Sequence, residues 1–348
     1  MNHDYQTDSQ RNYCLFLFEI IASIFVVSIH IKFPGFFGRL MENTGRFAVP
    51  LFFVIAGFFL YKPGISEIEF RAKLKRRIKR LAILLLISGT LYLICGVVGH
   101  FFNLGYSFSE INTFRIIAFF LLNNPLVSQH NWFLMALINA YGFMYLFPKV
   151  FIGKDKWIIP IISVLSLVLI GHIVAYQFNW GVETIPYCIF RNWLLSAIPF
   201  ISLGILLKRK EEALRALKLK YVITCLSLTF LLMIGELFLY QELLHASPEF
   251  GVFNVLFVVL IICLGVQMPN LGKRIKLTHV QGNWTKYVYI LHMFISFLII
   301  GLFMLLKINE NTVAQYFLPV IVVLVSFIIA LLINYCVIKI KNRKTNTN

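Results

Sequence analysis

The chain has 348 residues, of which 59% are hydrophobic and only 14% charged, and 35 of them are Phe. An ordinary soluble domain carries roughly a quarter charged residues, so there is too little polar side chain here to cover a water-facing surface. The net charge of +17, from 32 Lys and Arg against 15 Asp and Glu, would point to nucleic acid in a soluble protein. Here the charges fall between apolar runs, so no nucleic-acid partner is expected. The six cysteines (Cys14, Cys95, Cys188, Cys225, Cys263, Cys336) are scattered through apolar stretches without a CxxC pair. They support neither a disulfide framework nor a thiolate metal site, and no metal is expected.

A bilayer core about 30 Å thick needs about 20 apolar residues per helix. In chain order, runs of that kind fall at 13–31, 47–61, 81–102, 132–148, 157–176, 192–207, 221–240, 250–268, 287–306 and 316–338. The first follows Arg11 directly and ends at His30, Ile31 and Lys32 with no small-residue cleavage pattern. It therefore reads as a retained helix and not as a signal peptide. With the N-terminus inside, 26 of the 32 basic residues fall in inner loops and 6 in outer ones, as the positive-inside rule requires. The expected fold is all-α, a polytopic membrane bundle of about ten transmembrane helices with both termini cytoplasmic. It forms a single domain over residues 1–348, without a separate soluble domain. The runs do not alternate, which excludes a β-barrel. Within the long outer loop, Phe114 to Leu122 is too short to span and reads as a re-entrant or interfacial piece.

Ionisable groups inside hydrocarbon are costly, so each is a functional candidate. They are Glu19 and His30 in the first run, His172 in the fifth, Arg191 at the start of the sixth, Glu236 in the seventh and His292 in the ninth. Glu19 calls for a cation or donor on another helix. The densest charge is FRAKLKRRIKRLAILLL, Phe70 to Leu86. On a helix Lys73, Arg76, Arg77 and Arg80 share one face. Such a face serves as a positive-inside anchor on anionic lipid or as a phosphate clamp, because guanidinium forks match phosphate oxygens.

Several segments, in order, resemble integral-membrane acyltransferases of family 3: IIASIFVVSIH (Ile20 to His30), VPLFFVIAGFFL (Val49 to Leu60), KRRIKRL (Lys75 to Leu81), NWFLMALINAY (Asn131 to Tyr141), FRNWLLSAIPFISLGILL (Phe190 to Leu207) and YVYILH (Tyr287 to His292). The resemblance implies a ten-helix enzyme of the bacterial inner membrane. Such an enzyme moves an acyl group, commonly acetyl, from acyl-CoA on the cytoplasmic side. The acceptor is a hydroxyl of a cell-surface glycan or of its lipid-linked precursor. Acyl-CoA is thus a substrate, and no bound cofactor is implied. The family's Arg-x-x-Arg falls on Arg77 and Arg80, beside Arg76, as the acyl-CoA phosphate site. Its intramembrane histidine falls on His30, but the Arg of its Arg-x10-His pattern is Glu19 here. The same fold resembles the membrane half of vancomycin-resistance serine racemases, so transport of a small molecule such as serine is the competing expectation.

Acyl transfer to a hydroxyl needs a base and donors for the oxyanion. Neutral imidazole fits the first role, which nominates His30. Asn131, Trp132 and Arg191 are the nominees for donors, with Glu19 and His292 as further supporting residues. No GxSxG, HExxH, P-loop or dinucleotide motif is present.

Overall fold

Helix surfaces in this protein are turned inside out relative to those of a soluble protein. Along the C-terminal helix Phe317, Val320, Leu324, Ile328, Leu332 and Tyr335 are exposed, whereas Ser326 and Asn334 are buried. An apolar stripe of that length has no stable neighbour except lipid. The computed structural model describes residues 11–101, 113–123, 129–177, 190–243, 249–282, 284–308 and 312–346. Among these there is no strand, and the helices are α1 (Tyr13–His30), α2 (Gly35–Gly45), α3 (Ala48–Phe58), α4 (Glu67–Phe101), α5 (Thr113–Leu122), α6 (Trp132–Leu146), α7 (Pro148–Ile152), α8 (Asp155–Gln177), α9 (Ile198–Arg209), α10 (Glu211–Ala216), α11 (Leu219–Leu243), α12 (Val252–Gln267), α13 (Lys276–His279), α14 (Thr285–Leu305) and α15 (Thr312–Asn346).

Five of these, α1, α4, α11, α14 and α15, are long and apolar enough to cross a membrane, and α6 and α12 are shorter apolar helices. The protein is therefore a multi-pass membrane protein built from helices. Several runs that look like full spans in the sequence are shorter as helices. The 47–61 run holds the 11-residue α3. The 192–207 run is divided into a π-helical turn, Trp193–Ala197, and the 12-residue α9. Hydropathy reports burial in an apolar medium, not continuity of the helix, so such breaks are invisible to it. Conversely α2 occupies a stretch that carries Arg39, Glu42 and Arg46 and that reads as an outer loop.

The chain divides into two compact units, one of Met1–Ala48 with Gln267–Asn348 and one of Val49–Val266. In the first, α1, α14 and α15 enclose a core of Phe16, Ile20, Val27, Trp284, Val288, Ile295 and Val322. Trp284 meets Phe16 and Phe327 edge-on. In the second, α4 and α6 pack along each other, and α8 packs against α9. At the end of α9 the half-buried Arg209 donates to the Gly153 carbonyl and to Asp155 Oδ1, each at 2.7 Å, and also to the Phe151 carbonyl. Hydrogen bonds from Arg209, and then from Lys210, hold the Asp155 carboxyl below the usual carboxylate range.

Candidate functional site

Asn12 caps α1, its Oδ1 accepting from Leu15 N at 2.9 Å, as Asn does at a helix start. The helix ends at His30 because Ile31 is extended, φ −120° and ψ 91°. That ending leaves His30 exposed at the last helical position. The other partner is buried. His292 lies in α14 with Nδ1 at 2.7 Å from the Tyr289 carbonyl and 3.2 Å from that of Val288. Carbonyl oxygens only accept, so this assignment puts the proton on Nδ1 and leaves Nε2 as the basic nitrogen. The two imidazoles stand with ring centroids 5.2 Å apart and planes at 42°. Two histidines 262 positions apart in the chain thus form one pair in the first unit. Nearby in sequence, Glu42 bridges Lys32 at 2.8 Å and Arg46 at 3.4 Å, and Phe36 and Phe37 on α2 are exposed.

Glu19, eleven residues before His30, is half-buried. The charge of Arg11, just before the start of α1, acts on it. Among the described residues its carboxylate takes part in no ion pair and no hydrogen bond, and only its backbone carbonyl accepts, from Ser23 Oγ at 2.8 Å.

In the second unit α4 is one continuous helix of 35 residues that carries the basic cluster in its first half. Its charges are not equivalent. Arg77 turns inward, Nη1 donating to the Ala56 carbonyl at 2.8 Å and to Tyr141 Oη at 3.1 Å. Arg76 and Arg80 are exposed. Lys73 pairs with Glu69 at 3.4 Å, and Arg71 pairs with Glu67 at 2.9 Å while lying over the Tyr145 ring. Arg77 therefore ties α4 to the end of α3 and to α6, and Arg76 and Arg80 are the two arginines turned outward.

Farther along the same helix, Ser88 Oγ donates to Asn131 Oδ1 at 2.7 Å. Tyr92 meets the His130 ring edge-on with centroids 4.3 Å apart. All four side chains are buried. His130 is absent from the sequence-based candidates because an isolated His in an outer loop carries no periodic signal. Asn131 opens α6 without capping it, and Trp132 stands edge-on to Phe53. Asn123 ties the neighbouring backbone together, accepting from Trp193 N at 2.7 Å and donating to the Arg191 carbonyl at 3.1 Å. Arg191 pairs with Glu249 at 2.6 Å.

Glu236 is a structural residue. Its carboxylate accepts from Tyr240 Oη at 2.8 Å and from Val252 N and Phe253 N at 2.9 Å each, so it caps α12 from a neighbouring helix. Gly251 makes room, since a Cβ there would lie 2.2 Å from Glu236 Oε2. The side chain of His172 lies outside the described residues. Among the described residues no group of three or more His, Cys, Asp or Glu could hold a metal ion.

Comparison with known proteins bears directly on these clusters. The chain is similar to an amino-acid racemase of Enterococcus faecalis, 24% identical over 350 residues that cover 91% of this chain and 45% of that protein. The chain thus spans less than half the length of that relative. No solved structure matches it. The profile of the acyltransferase family 3, described as an acyltransferase domain, matches residues 12–339. That span takes in the histidine pair, the arginines of α4 and the Ser88–Asn131 contact, and with nearly the whole chain inside it, the protein belongs to the family 3 membrane acyltransferases.

Proposed function

We propose that this protein is a membrane O-acyltransferase of the bacterial inner membrane. It moves an acyl group, acetyl by preference, from cytoplasmic acyl-CoA to a hydroxyl of a cell-surface glycan or its lipid-linked precursor. In this reading the chain crosses the membrane ten times with both termini cytoplasmic, in contact with anionic lipid at the inner loops. The observation that carries the reading is the histidine pair. His30 is the exposed member and takes the hydroxyl proton as the acceptor attacks the thioester. His292, buried with its Nδ1 proton committed to backbone carbonyls, presents its other nitrogen as an acceptor beside it. Arg76 and Arg80 receive the phosphates of acyl-CoA, and Arg77 holds the helix that presents them.

The reaction is tested in inverted membrane vesicles given acyl-labelled acetyl-CoA. Label is expected to appear in glycan or lipid-linked sugar only when the protein is present. Uptake of serine by sealed vesicles without acyl-CoA, and no transfer of label, would replace this reading with transport. The carboxylate that Glu19 places within the apolar α1, able to meet a cation or a proton, is the observation that favours that second reading.

The arginines give a separate expectation. Arg76→Lys with Arg80→Lys keeps the positive charge and loses the planar forks. The KM for acyl-CoA should rise about tenfold, equivalent to about 1.4 kcal/mol, with insertion unchanged. Arg77→Lys should instead lower the yield of folded protein, because one ammonium group replaces the donor that joins Ala56 and Tyr141. Unchanged KM in the double variant would leave α4 as a lipid anchor.

A further inference from the structure

Asn131 has the sequence position of a helix cap without serving as one. It precedes α6, yet its side chain makes no capping bond, although Asn is among the strongest N-cap residues. Instead Ser88 Oγ donates to its Oδ1 at 2.7 Å. In this arrangement the amide oxygen points at α4 and the nitrogen points away from it. Among the described residues nothing accepts from Nδ2. The side chain is 3% exposed. A buried amide whose acceptor is engaged and whose two N–H donors are not is primed for one kind of group, an oxygen that gains negative charge.

The position along α4 suits a particular oxygen. Ser88 lies eight residues beyond Arg80 on one unbroken helix, which is about 12 Å along its axis, and Tyr92 about 18 Å. The pantetheine arm of CoA runs about twelve bonds from phosphate oxygen to sulfur. At the peptide-like spacing of about 3.5 Å per three bonds it reaches about 14 Å. Phosphates held at Arg76 and Arg80 therefore bring the thioester to the depth of Ser88 and Asn131. At that depth the chain is not in regular α-helix, since a tight turn at Gln129–Asn131 leads into α6. Irregular backbone in a membrane is tolerated where it is buried in protein or lines a cavity. Polar residues are also a costly choice for a purely structural contact between two apolar helices.

We infer that Asn131 is a catalytic residue, donating from Nδ2 to the carbonyl oxygen of the acyl thioester, and that Ser88 is the positioning residue that aims it. The inference rests on the acyl-transfer reading. As the acceptor oxygen bonds to the carbonyl carbon, its proton passes to a general base and the carbonyl oxygen becomes an oxyanion facing Nδ2. The carbon–sulfur bond then breaks, the carbonyl re-forms as an ester, and the CoA thiolate takes the proton back from the base to leave as the thiol. Tyr92 and His130, buried and edge-on to each other, flank this contact.

Asn131→Asp tests the assignment because its carboxylate still accepts from Ser88 but has nothing to donate. Asn131→Leu removes the donors with similar bulk and no charge. Both are expected to lower kcat by about 10²-fold or more, with KM for acetyl-CoA little changed. Ser88→Ala, which frees the amide to rotate, should lose about tenfold by the same scale of differences. Rates are taken per folded molecule, with thermal melts of the detergent-solubilised protein as the measure of folding. Wild-type kcat in either Asn131 variant overturns the inference and leaves the acyl-transfer reading intact. Loss that merely follows the folded fraction overturns it as well. Absence of any label transfer by the wild-type protein removes both together.

Discussion

His30→Gln is expected to lower acyl transfer per folded molecule by about 10²-fold or more, the usual contribution of a general base. Gln keeps hydrogen-bonding capacity and similar bulk but cannot accept a proton. His30 sits at the exposed end of α1, where Ile31 is already extended and His292 supplies the neighbouring ring, so the substitution asks little of the fold. The measurement is transfer from labelled acetyl-CoA, normalised to the amount of inserted, monodisperse protein. If His30 were only a contact between helices or with headgroups, Gln would replace it well and any loss would follow protein level. Near-normal turnover would remove it from the mechanism and favour transport.

The second large effect falls on folding. α3 and α9 cross through two glycines: a Cβ on Gly57 would lie 2.0 Å from the Ile201 carbonyl oxygen, and one on Gly204 would lie 2.0 Å from that of Val54. Both obstacles are backbone, which cannot swing aside as a side chain can. Gly204→Ala or Gly57→Ala must push the helices apart, at about 3 kcal/mol or more, the upper end of the range for overpacked cores. The displacement would also strain the bond from Arg77 to Ala56, one residue from Gly57. Gly89→Ala and Gly235→Ala are the controls. A Cβ at either meets nothing within 4 Å, and Ala favours helix over Gly. Melting temperatures in one detergent should separate the pairs, and equal stability of Gly204→Ala and Gly235→Ala would contradict the close crossing.

What could be read from the sequence follows from what each signal measures. Hydropathy finds the apolar medium and the helices α1, α4, α11, α14 and α15, because each holds an apolar stretch long enough to cross a membrane, whether it faces lipid or, like much of α1, the protein interior. It could not find where 47–61 or 192–207 stop being helical, since those ends are set by packing partners such as Gly57 against Ile201. The helix α2 is hidden from hydropathy although Arg39, Glu42 and, just past its end, Arg46 lie three and four apart, because charges at that density read as those of a loop. His30 and His292 were both nominated from the cost of burying them, yet nothing local in the chain says that they meet. Glu236 was nominated by the same cost and proved to be a cap, because the N–H groups that satisfy it lie sixteen and seventeen residues away. Asn131 was legible only as an amide in a recognised segment; its orientation depends on Ser88, 43 positions earlier.

The cap provided by Glu236 also bears on how the protein is made. A newly inserted α11 would carry a carboxylate in hydrocarbon, and a newly inserted α12 would carry bare N–H groups at its first turn, each costly alone. Together they cancel, with Tyr240 completing the contact. α11 and α12 therefore complete each other's polar groups, and neither is satisfied without the other.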